Sequence, residues 1–171
     1  VGGDVETRHG VILAKSIPAK KYGIVTGEPV VDALRKCPDL TLVKPHHTMY
    51  REKSKAFIAI LQQYSDTIEQ FSVDEAFVDM TGTERLFGTP VEAANRIREQ
   101  VYRELGFTVN VGVSSNKLLA KMASDFQKPN RVHTLFPEEI EEKMWPLPVR
   151  DLFFVGKAAE RQLNRIGVRT I

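Results

Sequence analysis

The chain has 171 residues, 42% of them hydrophobic, which is enough apolar material for a buried core in one large domain or two to three small modules. Lys and Arg number 24 against 22 Asp and Glu, and a net charge of +2 is too mild to announce a polyanionic partner by bulk charge. A single cysteine, Cys37, excludes an internal disulfide and any CxxC metal site, so a reducing, intracellular setting is expected; no apolar run is long enough to span a bilayer, which removes a membrane role.

The sequence opens on Val1-Gly2-Gly3-Asp4 without an initiator Met and reads as the end of a strand running into a turn, from which further sequence upstream is expected. The apolar run Gly10–Ala14 and the basic stretch Lys15–Lys21, broken by Pro18, predict small helices and loops rather than a sheet. Pro29 can open a short helix carrying Val30, Ala33 and Leu34, which Pro38 closes before an extended Leu40–Val43. A longer helix is predicted from about Met49 to Tyr64, with Phe57, Ile60, Leu61 and Tyr64 on one apolar face.

Ile68–Phe71 and Ala76–Met80 read as two strands joined through Ser72-Val73-Asp74-Glu75, a β-hairpin. Thr89, Pro90 and Glu92 then form the clearest helix start in the chain, a capping box with proline at the first helical position, and the buried stripe is predicted as Val91, Ala94, Ile97 and Val101. Gly106 ends that helix, Thr108–Val113 alternates as a half-buried strand, and Ser114-Ser115-Asn116 caps another helix. Leu118, Leu119, Met122, Ala123 and Phe126 share one side of it, Lys117 and Lys121 lie on others, and Pro129 stops it before a strand Arg131–Leu135. Pro137 and the glutamates after it start an acidic helix, and Pro146 and Pro148 mark a boundary. The order β-β-α-β-α-β predicts an α+β fold, a sheet containing antiparallel strands with helices on one face.

Three stretches can carry chemistry. Asp74 and Glu75 offer hard carboxylate oxygens for Mg²⁺; since neighbours on a regular strand point to opposite faces, both reach one site only if the hairpin bends there, and taken alone the pair reads first as an ordinary polar turn. Lys128, beside Pro129 and Asn130, can project to a phosphate or simply be a solvated helix end, and between Arg96 and Arg131 seven Lys or Arg face three acids. Leu152-Phe153-Phe154-Val155-Gly156-Lys157, followed by Leu163, Ile166 and Gly167, has the build of a helix-hairpin-helix that contacts a DNA phosphate, or of a plain helix turn.

Phe71–Asp79, Gly112–Ser124 and Lys128-Pro129-Asn130 together resemble the Y-family DNA polymerases, above all bacterial polymerase IV-like members, and the resemblance covers the whole chain. It implies a fingers module over residues 1–46, a ferredoxin-like palm over 47–135 and the start of a helix-hairpin-helix thumb over 136–171. It implies that Asp74 and Glu75 are metal-binding catalytic carboxylates for two Mg²⁺ ions, with Glu75 near the primer 3′-hydroxyl and Asp74 toward the nucleotide phosphates. Lys128 and Lys20 would contact the triphosphate, and Val155, Gly156 and Lys157 would hold a DNA-strand phosphate.

The implied function is template-directed, error-prone synthesis past damaged bases in a cytoplasmic, nucleoid-associated protein. Its partners would be primer–template DNA, deoxynucleoside triphosphates and a sliding clamp reached through a region beyond Ile171, with no membrane. Two departures qualify this. The family pattern places a Tyr and an Arg over the triphosphate, where this sequence has Ile17 and Lys20. The family's first palm strand, with its leading catalytic Asp and an aromatic residue that excludes ribonucleotides, precedes Val1, so the palm is incomplete and residues 1–171 alone are expected to be inactive. Both departures also suit a rival reading, a non-catalytic DNA-binding accessory protein on a palm scaffold.

Overall fold

A computed structural model describes residues 1–4 and 9–171, which divide into two compact units, 1–51 and 52–171. The turn expected after Asp4 lies outside the described residues.

In the first unit β1 (Gly2–Asp4) pairs antiparallel with β2 (His9–Ile12), with Gly2 opposite Ile12 and Asp4 opposite His9. This corrects the expectation of helices and loops around Gly10–Ala14. Ile12 is buried while Gly10 and Val11 are exposed, and the run is too short to show a strand period. The expected short helices follow: α1 (Ile17–Lys21), capped by the Ser16 hydroxyl, which accepts from the Ala19 N–H at 3.3 Å, and α2 (Val30–Lys36), opened after Pro29. Ile12, Ala19, Ile24, Val30 and Ala33 make the core of this unit.

The second unit takes in most of α3, His47–Leu61, which starts two residues before the expected Met49 and ends before Tyr64. Tyr64 is nevertheless buried, and its hydroxyl donates to Gln100 Oε1 at 2.7 Å. β3 (Ile68–Gln70) and β4 (Ala76–Val78) form the expected antiparallel hairpin, with Ile68 opposite Val78 and Gln70 opposite Ala76. A short helix not anticipated, α4 (Glu84–Phe87), precedes α5 (Pro90–Leu105). The capping box of α5 is closed both ways: Thr89 N–H donates to the Glu92 carboxylate at 2.7 Å and Glu92 N–H to the Thr89 hydroxyl at 3.3 Å. Gly106 ends α5 at a φ of 77°, a left-handed cap that glycine adopts without steric cost.

β5 (Val111–Val113) and β6 (Val132–Thr134) pair in parallel, joined through α6 (Lys117–Asp125). The strand predicted from Thr108 begins only at Val111. Asn110 diverts the backbone before it: its amide donates to the carbonyls of Ser124 and Gln127 and accepts the Arg131 N–H at 3.1 Å. α6 lies so close to β5 that a Cβ on Gly112 would stand 1.8 Å from the Ala120 carbonyl oxygen, so only glycine fits there.

Among the described residues the strands form three two-stranded ladders, β1–β2, β3–β4 and β5–β6. The fold is α+β, with the palm-like hairpin and crossover in the second unit. Ile60, Leu61 and Tyr64 pack with Ile97 and Val101 of α5 over Ile68, Ala76 and Val78 of the hairpin. Leu119, Met122 and Ala123 of α6 make a separate core with Leu135 and Met144. Two predicted stripe members fall outside these cores: Val91 and Leu118 are exposed, at the margins of faces only wide enough to bury Ala93, Ala94, Ile97 and Val101 on α5 and Leu119, Met122 and Ala123 on α6.

The expected acidic helix is a 3-10 turn, Pro137–Glu139, running into α7 (Ile140–Lys143). The expected helix-hairpin-helix has only a 3-10 turn, Val149–Asp151, as its first arm, with α8 (Lys157–Arg165) as its second. Among the described residues no helix is long and apolar enough to cross a membrane.

Candidate active site

Asp74 and Glu75 sit in the tight connection between β3 and β4. Phe71 and Ser72 both donate their N–H to the Glu75 carbonyl, at 2.9 and 3.0 Å, which folds the backbone over the turn. The Ser72 hydroxyl donates to Asp74 Oδ1 at 2.8 Å and accepts from the Asp74 N–H at 3.3 Å, fixing that side chain on the turn. The bend required for two adjacent carboxylates to leave the regular strand geometry is therefore present.

Beneath the turn lies a chain of ion pairs along α6. Lys121 Nζ donates to Glu75 Oε1 and stands 3.4 Å from Asp125 Oδ2, while Lys128 reaches Asp125 Oδ1 at 2.7 Å. The Lys121 side chain is only 15% exposed. Burial opposes its charge, yet the hydrogen bond to Glu75 and the charges of Asp125 and Glu75 hold its pKa above the usual lysine value. Burial likewise works against the Asp125 carboxylate, but Lys128 and Lys121 together keep it below the ordinary aspartate value of 3.8.

Lys121 and Asp125 were not singled out by the sequence. In the sequence Lys121 stands on a non-apolar side of its helix and among the basic residues of Arg96–Arg131, and its partner Glu75 is 46 residues away. Its membership in one motif with Asn116 and Lys117 was the available signal.

The basic run Arg96–Arg131 is less positive in space than in sequence. Arg98, Arg103, Lys117, Lys121 and Lys128 all pair with acids, Lys117 with Glu69 at 2.8 Å across to β3. Lys128, the candidate phosphate contact, lies just past the end of α6 before Pro129 and Asn130, with its ammonium held on Asp125. Lys20 lies exposed on α1 in the first unit, beside an exposed Ile17.

In the helix-hairpin-helix segment Gly156 caps α8, with open space where a Cβ would stand, and Lys157 is exposed at its first position. Val155 is half-buried and donates its N–H to the Leu152 carbonyl at 2.9 Å. Open backbone N–H groups at such a helix start, next to a lysine, suit an anion. Lys121 also links the carboxylate turn to this segment, its Nζ 5.7 Å from the Phe153 ring centre.

For a metal, the donor chemistry fits a hard divalent cation: the Asp74 and Glu75 carboxylates are neighbours on one turn and reach solvent. Among the described residues no group of three or more His, Cys, Asp or Glu is placed to hold a metal ion, so these two carboxylates are a partial donor set.

The model of the impB/mucB/samB family matches residues 1–125, and that of the same family's helix-hairpin-helix motif matches residues 137–168. The chain belongs to the impB/mucB/samB family. It is 50% identical over 171 residues to DNA polymerase IV of Clostridium acetobutylicum, covering 100% of this chain and 43% of that protein. It is 42% identical over 174 residues to DNA polymerase IV 2 of Bacillus subtilis, covering 100% of this chain and 42% of the relative. The chain thus spans less than half the length of these curated relatives.

Among solved structures it resembles DinB from Sulfolobus solfataricus, with a TM-score of 0.85, 28% identity and coverage of 95% of this chain and 48% of the other. It also resembles an insertion ternary complex of Dbh DNA polymerase, with a TM-score of 0.85, 28% identity and coverage of 99% and 50%. The expected kinship with DinB-like Y-family polymerases holds, and the impB/mucB/samB match runs through the Asp74-Glu75 turn and the whole of α6.

Proposed function

We propose that the full-length protein containing this chain is a translesion DNA polymerase, joining deoxynucleotides to a primer by two-magnesium nucleotidyl transfer. The observation that carries this reading is the Asp74-Glu75 turn, two solvent-accessible carboxylates set against the α6 cations, in a chain alignable from end to end with DNA polymerase IV proteins. Two solved relatives described as ternary complexes of Dbh support primer–template DNA and a nucleotide as partners.

Asp74 and Glu75 would hold the ions, Glu75 facing the primer 3′-hydroxyl and Asp74 the incoming phosphates. Bound Mg²⁺ supplies Lewis-acid stabilisation of the attacking and leaving oxygens. Two carboxylates are a partial donor set for two ions, so the full-length protein would have to supply a further carboxylate ligand. Lys128 can leave Asp125 for the triphosphate, because an exposed ion pair costs about 0–1 kcal/mol to open. Lys20 adds a point charge without the bidentate fork of an arginine, and Ile17 offers no hydroxyl, so nucleotide contacts from the first unit are weaker than the family pattern provides. Val155, Gly156 and Lys157 hold a strand phosphate.

On this reading residues 1–46 serve as fingers, 47–135 as palm and 136–171 as the start of the thumb. On the same reading the protein works in the cytoplasm at the nucleoid, with a sliding clamp as a partner.

Primer extension by the full-length protein with Mg²⁺ and four deoxynucleotides tests the reading. Extension is expected, together with its loss in Asp74→Asn and Glu75→Gln while the fold stays intact. Extension retained by either variant removes that residue from the mechanism, and DNA binding without extension by the unaltered protein favours the accessory-protein reading.

A further inference from the structure

Two non-glycine residues among those described have a positive φ, Asn130 at 57° and Phe154 at 68°. Asparagine tolerates that region; a bulky aromatic residue there is a true outlier, held only where something repays the strain. Burial does not repay it at Phe154, whose relative exposure is 80%.

The ring is braced on one side only. Phe153 lies 4.1 Å from it centre to centre with planes 35° apart, and Phe71 meets it edge-on at 6.2 Å. Phe71 also meets Phe153 edge-on at 5.8 Å and is itself partly exposed, so the three rings form one aromatic patch. Phe71 starts the turn that carries Asp74 and Glu75, and Lys121 ties Glu75 to Phe153, so the patch adjoins the carboxylate turn.

The segment that carries Phe154 is basic. From Val149 to Ile171 there are five Lys or Arg, Arg150, Lys157, Arg161, Arg165 and Arg169, against two acids, Asp151 and Glu160. Lys157, Arg161 and Arg165 recur every four residues on α8, all exposed, which lines them along one flank of the helix. An exposed aromatic face followed directly in the chain by a helix with a row of cations is complementary to a nucleic-acid strand, whose bases and sugars offer flat apolar faces between regularly spaced phosphates.

We propose that Phe154, braced by Phe153 and Phe71, is a stacking platform for a base or deoxyribose of the DNA strand whose phosphates lie along Lys157, Arg161 and Arg165. This rests on the reading of the full-length protein as a polymerase. The left-handed backbone at Phe154 turns the ring outward, so stability is given up locally for an aromatic contact.

The test pairs thermal melting with primer–template binding by fluorescence anisotropy in the full-length protein. Phe154→Gly relieves the backbone and removes the ring; the melting temperature is expected to rise by a few degrees while affinity falls roughly five-fold or more, and Phe154→Trp is expected to retain binding. Phe154→Asn, also compatible with a left-handed backbone, gives the same reading should the glycine variant not fold. Binding by both Gly and Asn variants within about two-fold of the unaltered protein, with extension intact, overturns the platform and leaves the polymerase reading standing. A self-associating protein that these variants make monomeric without loss of DNA affinity overturns it in favour of a contact between copies. If the unaltered protein neither binds nor extends a primer, the polymerase reading falls and the platform with it.

Discussion

Lys121 reaches up from the second turn of α6 and places its ammonium on the Glu75 carboxylate, 46 residues earlier in the chain, while its other side faces Asp125. One half-buried cation thus joins the β3–β4 turn to α6 and stands where a second cation would compete for the same oxygen.

Replacing Lys121 by Met should therefore cost about 1–2 kcal/mol of stability, between the values for exposed and for buried ion pairs. The measurement is urea unfolding of the full-length protein, with Lys117→Met as the comparison. The Lys117 pair with Glu69 is well exposed on both sides and should contribute less than about 0.5 kcal/mol. Equal losses would mean that Lys121 has no special hold on the turn.

Asp125 contributes to the acid side of the stability profile. Its pKa lies lower folded than unfolded, so the native state binds fewer protons there and its contribution is fully present above the ordinary value of 3.8. That contribution is lost as pH falls through the depressed folded value. Asp125→Asn should lower stability at neutral pH and flatten the decline below about pH 4, read from melting temperature against pH. A parallel decline in both proteins would refute the assignment.

Gly112→Ala should be among the most damaging single changes in the chain, since the added carbon would meet the Ala120 carbonyl oxygen at 1.8 Å and the Ser124 nitrogen at 2.6 Å, both backbone. Neither atom can move without pulling α6 from β5, and a loss of about 3 kcal/mol or more, or failure to fold, is expected. Gly156→Ala, with open space around it and an ordinary φ of −84°, should change stability by less than about 1 kcal/mol.

Lys128→Ala should raise the apparent KM for deoxynucleotides in the full-length protein by about ten-fold, the effect of one lost charge-assisted contact to phosphate. Steady-state single-nucleotide insertion reads it. An unchanged KM would assign Lys128 to its Asp125 pair alone.

Local chemistry made much of this legible from the sequence. Runs rich in aromatic and branched residues on either side of Ser72–Glu75 announce the hairpin, and Thr89, Pro90 and Glu92 announce α5, because strand composition and helix caps are written within a few neighbouring residues. What stayed hidden depends on distant partners. The Lys121–Glu75 pair spans 46 residues, Asn110 cuts its strand short by bonding to the loop after α6, and Val91 and Leu118 are exposed because the width of a buried stripe is set by what packs on it. β2 escaped notice because four residues are too few to distinguish a strand from a loop.

The segment after α7 is tied at its neck. Ile171 donates its N–H to the Leu147 carbonyl at 3.0 Å, Val149 donates to that of Arg169 at 2.8 Å, and Pro148 bridges to Thr170. The chain thus enters and leaves this hairpin at one point, much as a loop does at a site that accepts inserted domains. As long as Leu152, Phe153 and Ile171 keep their places against the α6 core, the α8 side of this hairpin is free to vary in sequence without disturbing that core.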